Sequence, residues 1–111
     1  MGGRIASHLV ASGYPADALV FLGYPLHPPG KPDLMRDQHL YGIGCPMLFL
    51  SGTRDAFATP RLLEPVVERI GQGATLKWIE GADHSYRVRG RSQKEVHAEA
   101  LDTVGQWLKL L

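Results

Sequence analysis

Two ionisable side chains follow strand-like segments at a spacing that suits acid–base chemistry. Asp55 comes after the apolar run 47–52 by way of Gly-Thr-Arg, and His84 comes after the run 75–80 by way of Gly-Ala-Asp. A carboxylate that accepts the Nδ1 proton of a histidine leaves Nε2 free to act as a base. Each residue alone is also compatible with a simple turn role. Together they predict a general base that activates a hydroxyl nucleophile.

Three apolar runs predict the strands that position this pair. The runs 18–23 and 47–52 are continuous, which is typical of strands buried on both faces, whereas 75–80 alternates and is expected nearer a sheet edge. With the helical patterns, the order along the chain is helix, strand, loop, strand, helix, strand, helix. This order predicts an α/β fold with a parallel sheet of about three strands and flanking helices. Because ligands bind beyond the carboxyl ends of such strands, Asp55 and His84 are expected at one edge.

Three segments have helical periodicity. Residues 3–12 predict a short first helix. The next helix is expected after Thr59, with Pro60 at its first position and with a kink or a later start caused by Pro65. Ser92 and Glu95 form a capping-box pattern ahead of the last helix. Its predicted core-facing stripe consists of Val96, Ala100, Leu101, Val104, Trp107, Leu108 and Leu111.

The proline-rich segment 26–44 predicts a long loop without regular structure, and it carries three candidate substrate-binding residues. His27 and His39 flank Arg36, whose guanidinium would hold a carboxylate of a substrate. The alternative is that Arg36 and His39 tie the loop to the sheet through hydrogen bonds to backbone carbonyls.

Composition narrows the class of protein. Lys+Arg 12 against Asp+Glu 11 gives a net charge of +1, which argues against nucleic-acid and membrane-surface partners. The single Cys45 excludes an internal disulfide and a cysteine-rich zinc site, and no histidine cluster has metal-binding spacing. No apolar run approaches the roughly 20 residues of a membrane helix, and the first residues lack a secretion signal. We expect a cytoplasmic protein without a metal.

Several segments resemble the α/β-hydrolase family. Residues 49–55 and 79–84 are similar to its acid and histidine segments, and residues 1–6 are similar to the part of a nucleophile elbow that follows the serine. More narrowly, residues 23–32 and 34–40 resemble the dienelactone-hydrolase-related branch that includes the testis-expressed hydrolase-like proteins.

The resemblance implies a partial α/β-hydrolase domain over residues 1–111, starting just after the elbow serine of a longer parent chain. Asp55 would orient His84, and His84 would activate that serine toward the ester, thioester or similar acyl bond of a small-molecule substrate. The backbone N–H of Met1 would contribute to the oxyanion hole. This mechanism implies no cofactor.

The serines within the chain do not occupy an elbow of this type. Ser85 adjoins His84, but neighbouring loop residues seldom align a hydroxyl with an imidazole. The alternatives to a hydrolase are therefore a non-catalytic interaction module of the same fold and a truncated, inactive fragment. With the sheet cut before its first strand, we also expect self-association through an exposed strand edge.

Overall fold

The computed structural model describes residues 17–27 and 35–111. Within these residues, strands alternate with helices along the chain, as the apolar runs predict. The elements are β1 (Leu19–Leu22), a 3₁₀ helix (Gln38–Gly42), β2 (Met47–Gly52), α1 (Pro60–Ile70), β3 (Ala74–Ile79) and α2 (Gln93–Lys109). The predicted helix 3–12 and the loop residues 28–34 lie outside the described residues.

The three strands form one parallel sheet in the order β1-β2-β3. Met47 at the start of β2 lies opposite Leu19 of β1 and Ala74 of β3, so the strands begin level and end at the same edge. All residues of β2 are buried, and β3 lies at a sheet edge as predicted. The prediction that β1 is buried on both faces is wrong, because its residue Leu22 is 56% exposed. Strand β1 is the other edge strand of the described sheet.

Side-chain alternation along β2 supplies two cores, one on each face of the sheet. Phe49 packs in the cluster that contains Phe21 of β1 and Leu63 of α1. Leu50, the next residue, packs in the cluster that contains Val96 and Ala100 of α2. The two helices therefore cover opposite faces of the sheet, which is the layered α/β architecture that the element order predicts.

Helix α1 starts where the sequence indicates but is capped differently. Thr59 is the N-cap residue, yet its side chain makes no capping hydrogen bond; its carbonyl instead accepts from the N–H groups of Leu62 and Leu63, both at 2.9 Å. The later start expected from Pro65 is wrong, because the helix runs from Pro60 through Pro65 to Ile70 with Pro65 on its exposed side. Pro60 needs no N–H partner at this first helical position.

Helix α2 has the predicted cap but a narrower buried stripe. The Ser92 hydroxyl accepts from the Glu95 N–H at 3.2 Å, and Val96, Ala100 and Trp107 are buried. The core-facing prediction is wrong for three leucines that are exposed, at 70%, 49% and 60%: Leu101, Leu108 and Leu111. Two of them directly follow a buried residue, and each step along a helix turns the side chain by about 100°. Only the stripe from Val96 to Trp107 meets the sheet.

The segment between β1 and β2 contains a 3₁₀ helix, so the prediction of a loop without regular structure over 26–44 is wrong for Gln38–Gly42. The 3₁₀ helix buries Leu40 completely and is held by a 2.6 Å hydrogen bond from the Tyr41 hydroxyl to Asp37. Burial, followed by the adjacent Asp37 carboxylate, raises the pKa of Tyr41 to about 12. Among the described residues, no helix is both long and apolar enough to cross a membrane.

The ends of β2 and β3 meet at a backbone contact. A Cβ atom added to Gly52, the last residue of β2, would lie 2.0 Å from the carbonyl oxygen of Ala82, which follows β3. Ala82 is itself fully buried in the α2 core. Since neither backbone can move aside freely, position 52 requires glycine, and this requirement comes from close approach rather than from its dihedral angles.

We predict that Gly52→Ala lowers the free energy of unfolding by about 3 kcal/mol, because the methyl group forces the two strand ends apart. Gly105→Ala is the matched control. Gly105 lies within α2 with open space around it, so the added methyl should raise the free energy of unfolding by about 0.5 to 1 kcal/mol. Urea denaturation of both variants provides the measurement. A neutral Gly52→Ala would contradict the contact.

Candidate active site

The loops that leave β2 and β3 are bound to each other by hydrogen bonds. The Gly81 N–H donates to the Thr53 hydroxyl at 2.7 Å, and the Arg54 N–H donates to the Ala82 carbonyl at 2.9 Å. The loop after β2 then turns sharply, with the Asp55 N–H donating to the Gly52 carbonyl at 3.1 Å. These bonds place the residues after the two strands at fixed positions relative to each other.

Asp55 and His84 meet at this edge of the sheet. His84 Nδ1 lies 2.8 Å from Asp55 Oδ2, and the other carboxylate oxygen, Oδ1, accepts from the Phe57 N–H at 2.8 Å. Asp55 is 1% exposed, whereas the His84 side chain is 38% exposed. The carboxylate is thus buried with both oxygens hydrogen-bonded, and the imidazole reaches solvent.

The hydrogen bond determines which imidazole nitrogen carries the proton. An ionised carboxylate only accepts hydrogen bonds, so Nδ1 of His84 must donate its proton to Asp55. In the neutral ring Nε2 then has the lone pair. No hydrogen bond joins Nε2 to any residue within 17–27 or 35–111. The arrangement can therefore take a proton from a hydroxyl that approaches Nε2.

Two further residues hold the imidazole ring. The Phe57 ring packs against it with centroids 4.7 Å apart. On another side, Gly23 follows β1 with a φ of +74°, and a Cβ atom there would lie 3.5 Å from Cε1 and Nδ1 of His84. Glycine adopts this left-handed conformation without strain. All three strands therefore contribute to the site through the residues that follow their carboxyl ends.

Tyr86 fastens the loop that carries His84 to the sheet. Its hydroxyl donates to the Leu50 carbonyl at 2.5 Å, and the same carbonyl accepts from the Gly23 N–H at 2.9 Å. Tyr86 has a φ of +59°, which for a non-glycine residue costs on the order of 1 kcal/mol. Burial, together with the negative charge of Asp55, raises the pKa of its hydroxyl well above the ordinary value.

Two of the candidate substrate-binding residues, Arg36 and His39, contact the Tyr24 hydroxyl. The Tyr24 hydroxyl donates to the Arg36 carbonyl at 2.9 Å and lies 3.2 Å from His39 Nε2, while the Arg36 N–H donates to the Leu26 carbonyl at 2.6 Å. His27 is buried, with 4% exposed. In these contacts Arg36 takes part through its backbone and His39 contacts a hydroxyl, and both partners, Tyr24 and Leu26, follow β1. The role of His27, Arg36 and His39 in substrate binding stays a prediction.

In the part of the chain that it describes, the structure does not connect the other predicted or considered site residues, Met1 and Ser85, with the Asp55–His84 pair. Met1, the expected oxyanion-hole residue, lies outside them. Ser85 is exposed, and its N–H donates to Asp83 Oδ1 at 2.9 Å; within the described chain no hydrogen bond links its hydroxyl to His84. In the same part of the chain, no group of three or more His, Cys, Asp or Glu side chains could hold a metal ion.

Three residues that support the pair are not among those predicted from the sequence: Gly23, Phe57 and Tyr86. Phe57 had a local signal, because an aspartate often accepts a hydrogen bond from the backbone two residues later. The contacts of Gly23 and Tyr86 join residues far apart in the chain, and no local pattern marks them. They depend on the parallel register of β1, β2 and β3.

Comparison with known proteins places this geometry in context. The family model described as "Alpha/beta hydrolase domain" matches residues 1–109. The fold also matches the crystal structure of TT1662 from Thermus thermophilus, with a TM-score of 0.56 and 18% sequence identity. That match covers 96% of this chain and 50% of TT1662, so the chain spans half the length of that protein. At this identity the likeness concerns the fold alone.

We predict that alkaline pH destabilises the protein through Tyr86. Above about pH 10 the tyrosines of the unfolded chain lose protons, while folded Tyr86 keeps its proton because its pKa is raised. The unfolded state then binds fewer protons, so the free energy of unfolding falls as pH rises through this range. Tyr86→Phe should cost about 1 kcal/mol at neutral pH and make the alkaline decline shallower.

Urea denaturation at a series of pH values measures both effects. Tyr41 contributes to the alkaline decline in both proteins, since its pKa is also raised. Parallel declines in Tyr86→Phe and the unsubstituted protein would show that the Tyr86 hydroxyl is not held as the structure indicates.

Proposed function

The chain belongs to the α/β hydrolase domain family, and we propose that the full-length protein is a serine hydrolase that cleaves ester, thioester or similar acyl bonds of small molecules. In this proposal Asp55 orients His84, and His84 is the general base. We place the protein in the dienelactone-hydrolase-related branch on the basis of residues 23–32 and 34–40. The assignment to that branch is part of the proposal.

The observation that carries the proposal is the 2.8 Å hydrogen bond between His84 Nδ1 and Asp55 Oδ2. A purely structural aspartate–histidine pair does not require a buried carboxylate beside an imidazole with one edge in solvent. Here the carboxylate is 1% exposed and the imidazole side chain 38% exposed. This division suits a base that must exchange protons with a substrate while its partner stays fixed.

Each half of the proposed reaction uses two proton transfers at Nε2. First, His84 takes the proton of the nucleophilic serine while the serine oxygen bonds to the acyl carbon. His84 then gives that proton to the leaving alcohol or thiol. Asp55 stabilises the imidazolium formed between the two transfers. Water attacks the acyl-enzyme by the same sequence and releases the acid. The serine is expected immediately before Met1 in the longer parent chain.

The surroundings of the pair support this role for His84. The Phe57 ring and Gly23 limit rotation of the imidazole, and Tyr86 secures the loop that carries it. A base held in one orientation contributes more to the rate than a mobile one, because the geometry of proton transfer is set before the substrate binds.

We predict that His84→Ala and Asp55→Asn each lower kcat/KM for p-nitrophenyl esters by about 10³-fold or more in the full-length protein. His84→Ala removes the base. Asp55→Asn keeps the shape of the carboxylate but favours the wrong tautomer of His84. Labelling of a serine by a fluorophosphonate should decline in parallel, since the reagent requires an activated hydroxyl.

The chain offers a matched control for each variant. His97 and Asp102 are exposed on α2, and His97→Ala and Asp102→Asn should leave kcat/KM within about twofold. Circular dichroism verifies that all four variants are folded. Full activity in His84→Ala would contradict the proposal. A full-length protein with no turnover of ester or thioester substrates and no labelling would instead indicate the non-catalytic interaction module.

A further inference from the structure

A polar groove lies between the loop that follows β2 and the loop that follows β3. Its lining residues are neighbours of Asp55 and His84 in the sequence. It has a volume of about 350 Å³ and is lined by Arg54, Gly81, Asp83, Arg87 and Arg89. Arg54 precedes Asp55 and Asp83 precedes His84. The proposed catalytic pair does not line this groove, so the groove needs an explanation of its own.

The charge of the groove is strongly positive. Three arginines and one aspartate line it, so the lining residues have a formal charge of +2 in a chain whose net charge is +1. None of these guanidinium groups forms an ion pair or side-chain hydrogen bond with residues 17–27 or 35–111. The next arginine of the loop differs, since Arg91 pairs with Glu99 at 2.8 Å. The groove thus brings together three arginines that form no ion pair with the described residues.

The carboxylate in the groove is already engaged by its own loop. Asp83 Oδ1 accepts from the N–H groups of Ser85, at 2.9 Å, and Arg87, at 3.0 Å. The Arg87 hydrogen bond above all, with that from Ser85 and the Arg87 charge, holds the pKa of Asp83 below its ordinary value. Asp83 thus remains charged and organises the loop, while its single charge offsets only one of the three arginines.

The loop presents the arginines on a fixed backbone. Tyr86 is anchored through its hydroxyl, and Val88 packs against the α2 core. Arg87 and Arg89 alternate with these inward-facing residues and are exposed. Both residues therefore lie outside the core, and both line the groove.

Arg54 stands on the other side of the groove, and its position is equally constrained. Its N–H donates to the Ala82 carbonyl, next to the close approach between Gly52 and Ala82. Because the two loops cannot separate at this point, the backbone positions from which the three arginines extend are fixed before any ligand binds. A fixed backbone lowers the cost of ordering the loops on binding.

We propose that this groove binds the phosphate group of a small molecule. Guanidinium groups form paired, charge-assisted hydrogen bonds with phosphate oxygens, and a local charge of +2 matches a phosphate dianion. Extended polyanions are less suited, since nucleic acids and anionic membranes need several separated cationic contacts and the whole chain has a net charge of +1.

Titration of inorganic phosphate into the full-length protein tests the proposal. Isothermal calorimetry at constant ionic strength, adjusted with potassium chloride, should show saturable binding at one site. Arg87→Gln and Arg89→Gln should each raise the Kd about tenfold, because each removes a charge-assisted contact. Arg61→Gln is the matched control: Arg61 is exposed on α1 and does not line the groove, yet the variant loses the same charge.

Three results would overturn the proposal. These are the absence of saturable phosphate binding, an equal rise in Kd for Arg61→Gln, and tight binding to anionic phospholipid vesicles that inorganic phosphate does not displace. Near-ultraviolet circular dichroism confirms that the variants are folded. Because the readout is binding, the result does not depend on the proposed hydrolase activity.

Discussion

The backbone of Gly52 lies directly against that of Ala82, and this contact fixes how the ends of β2 and β3 meet. Parallel strands bring their carboxyl ends to one edge, but they leave several ångströms between the loops that follow. Here the absence of a side chain at position 52 lets the loops touch and form the hydrogen bonds of Thr53 and Arg54. The 2.8 Å distance between Asp55 and His84 follows from that approach.

Burial of the Asp55 charge is acceptable only because the protein replaces the lost hydration. An unpaired carboxylate in the interior would be strongly destabilising, or would bind a proton and lose its charge. The Phe57 N–H and the His84 ring each donate to one of its oxygens. The same pair of contacts orients the imidazole, so the requirement for a stable buried charge and the requirement for a positioned base are met by one set of hydrogen bonds.

The sequence is most informative where the physics is local. Two continuous apolar runs predict β1 and β2, an alternating run predicts β3, and the Ser92–Glu95 pattern predicts the start of α2. The sequence is least informative where the orientation of one element against another determines which residues are buried. Leu101 satisfies the helical period but is exposed, because the stripe that meets the sheet is set by how α2 packs.

The site divides in the same way. Glycine-containing turns after apolar strands mark Asp55 and His84 as residues at the sheet edge. The interaction of Tyr86 with Leu50 spans 36 positions along the chain, and the groove at Arg54 joins residues from two loops. Contacts of this kind arise from the register of the strands and the close approach at Gly52. Neither the Tyr86–Leu50 interaction nor the groove therefore leaves a pattern within a single segment of the sequence.

The protonation of the His84 ring is the property on which the account depends most. Nitrogen-15 NMR of the full-length protein at a pH where the imidazole is neutral distinguishes the two tautomers by the chemical shifts of Nδ1 and Nε2. We expect protonated Nδ1 and unprotonated Nε2, with a strongly deshielded Nδ1 proton that is lost in Asp55→Asn. A His84 ring with its proton on Nε2, or a spectrum unchanged by Asp55→Asn, would contradict the account.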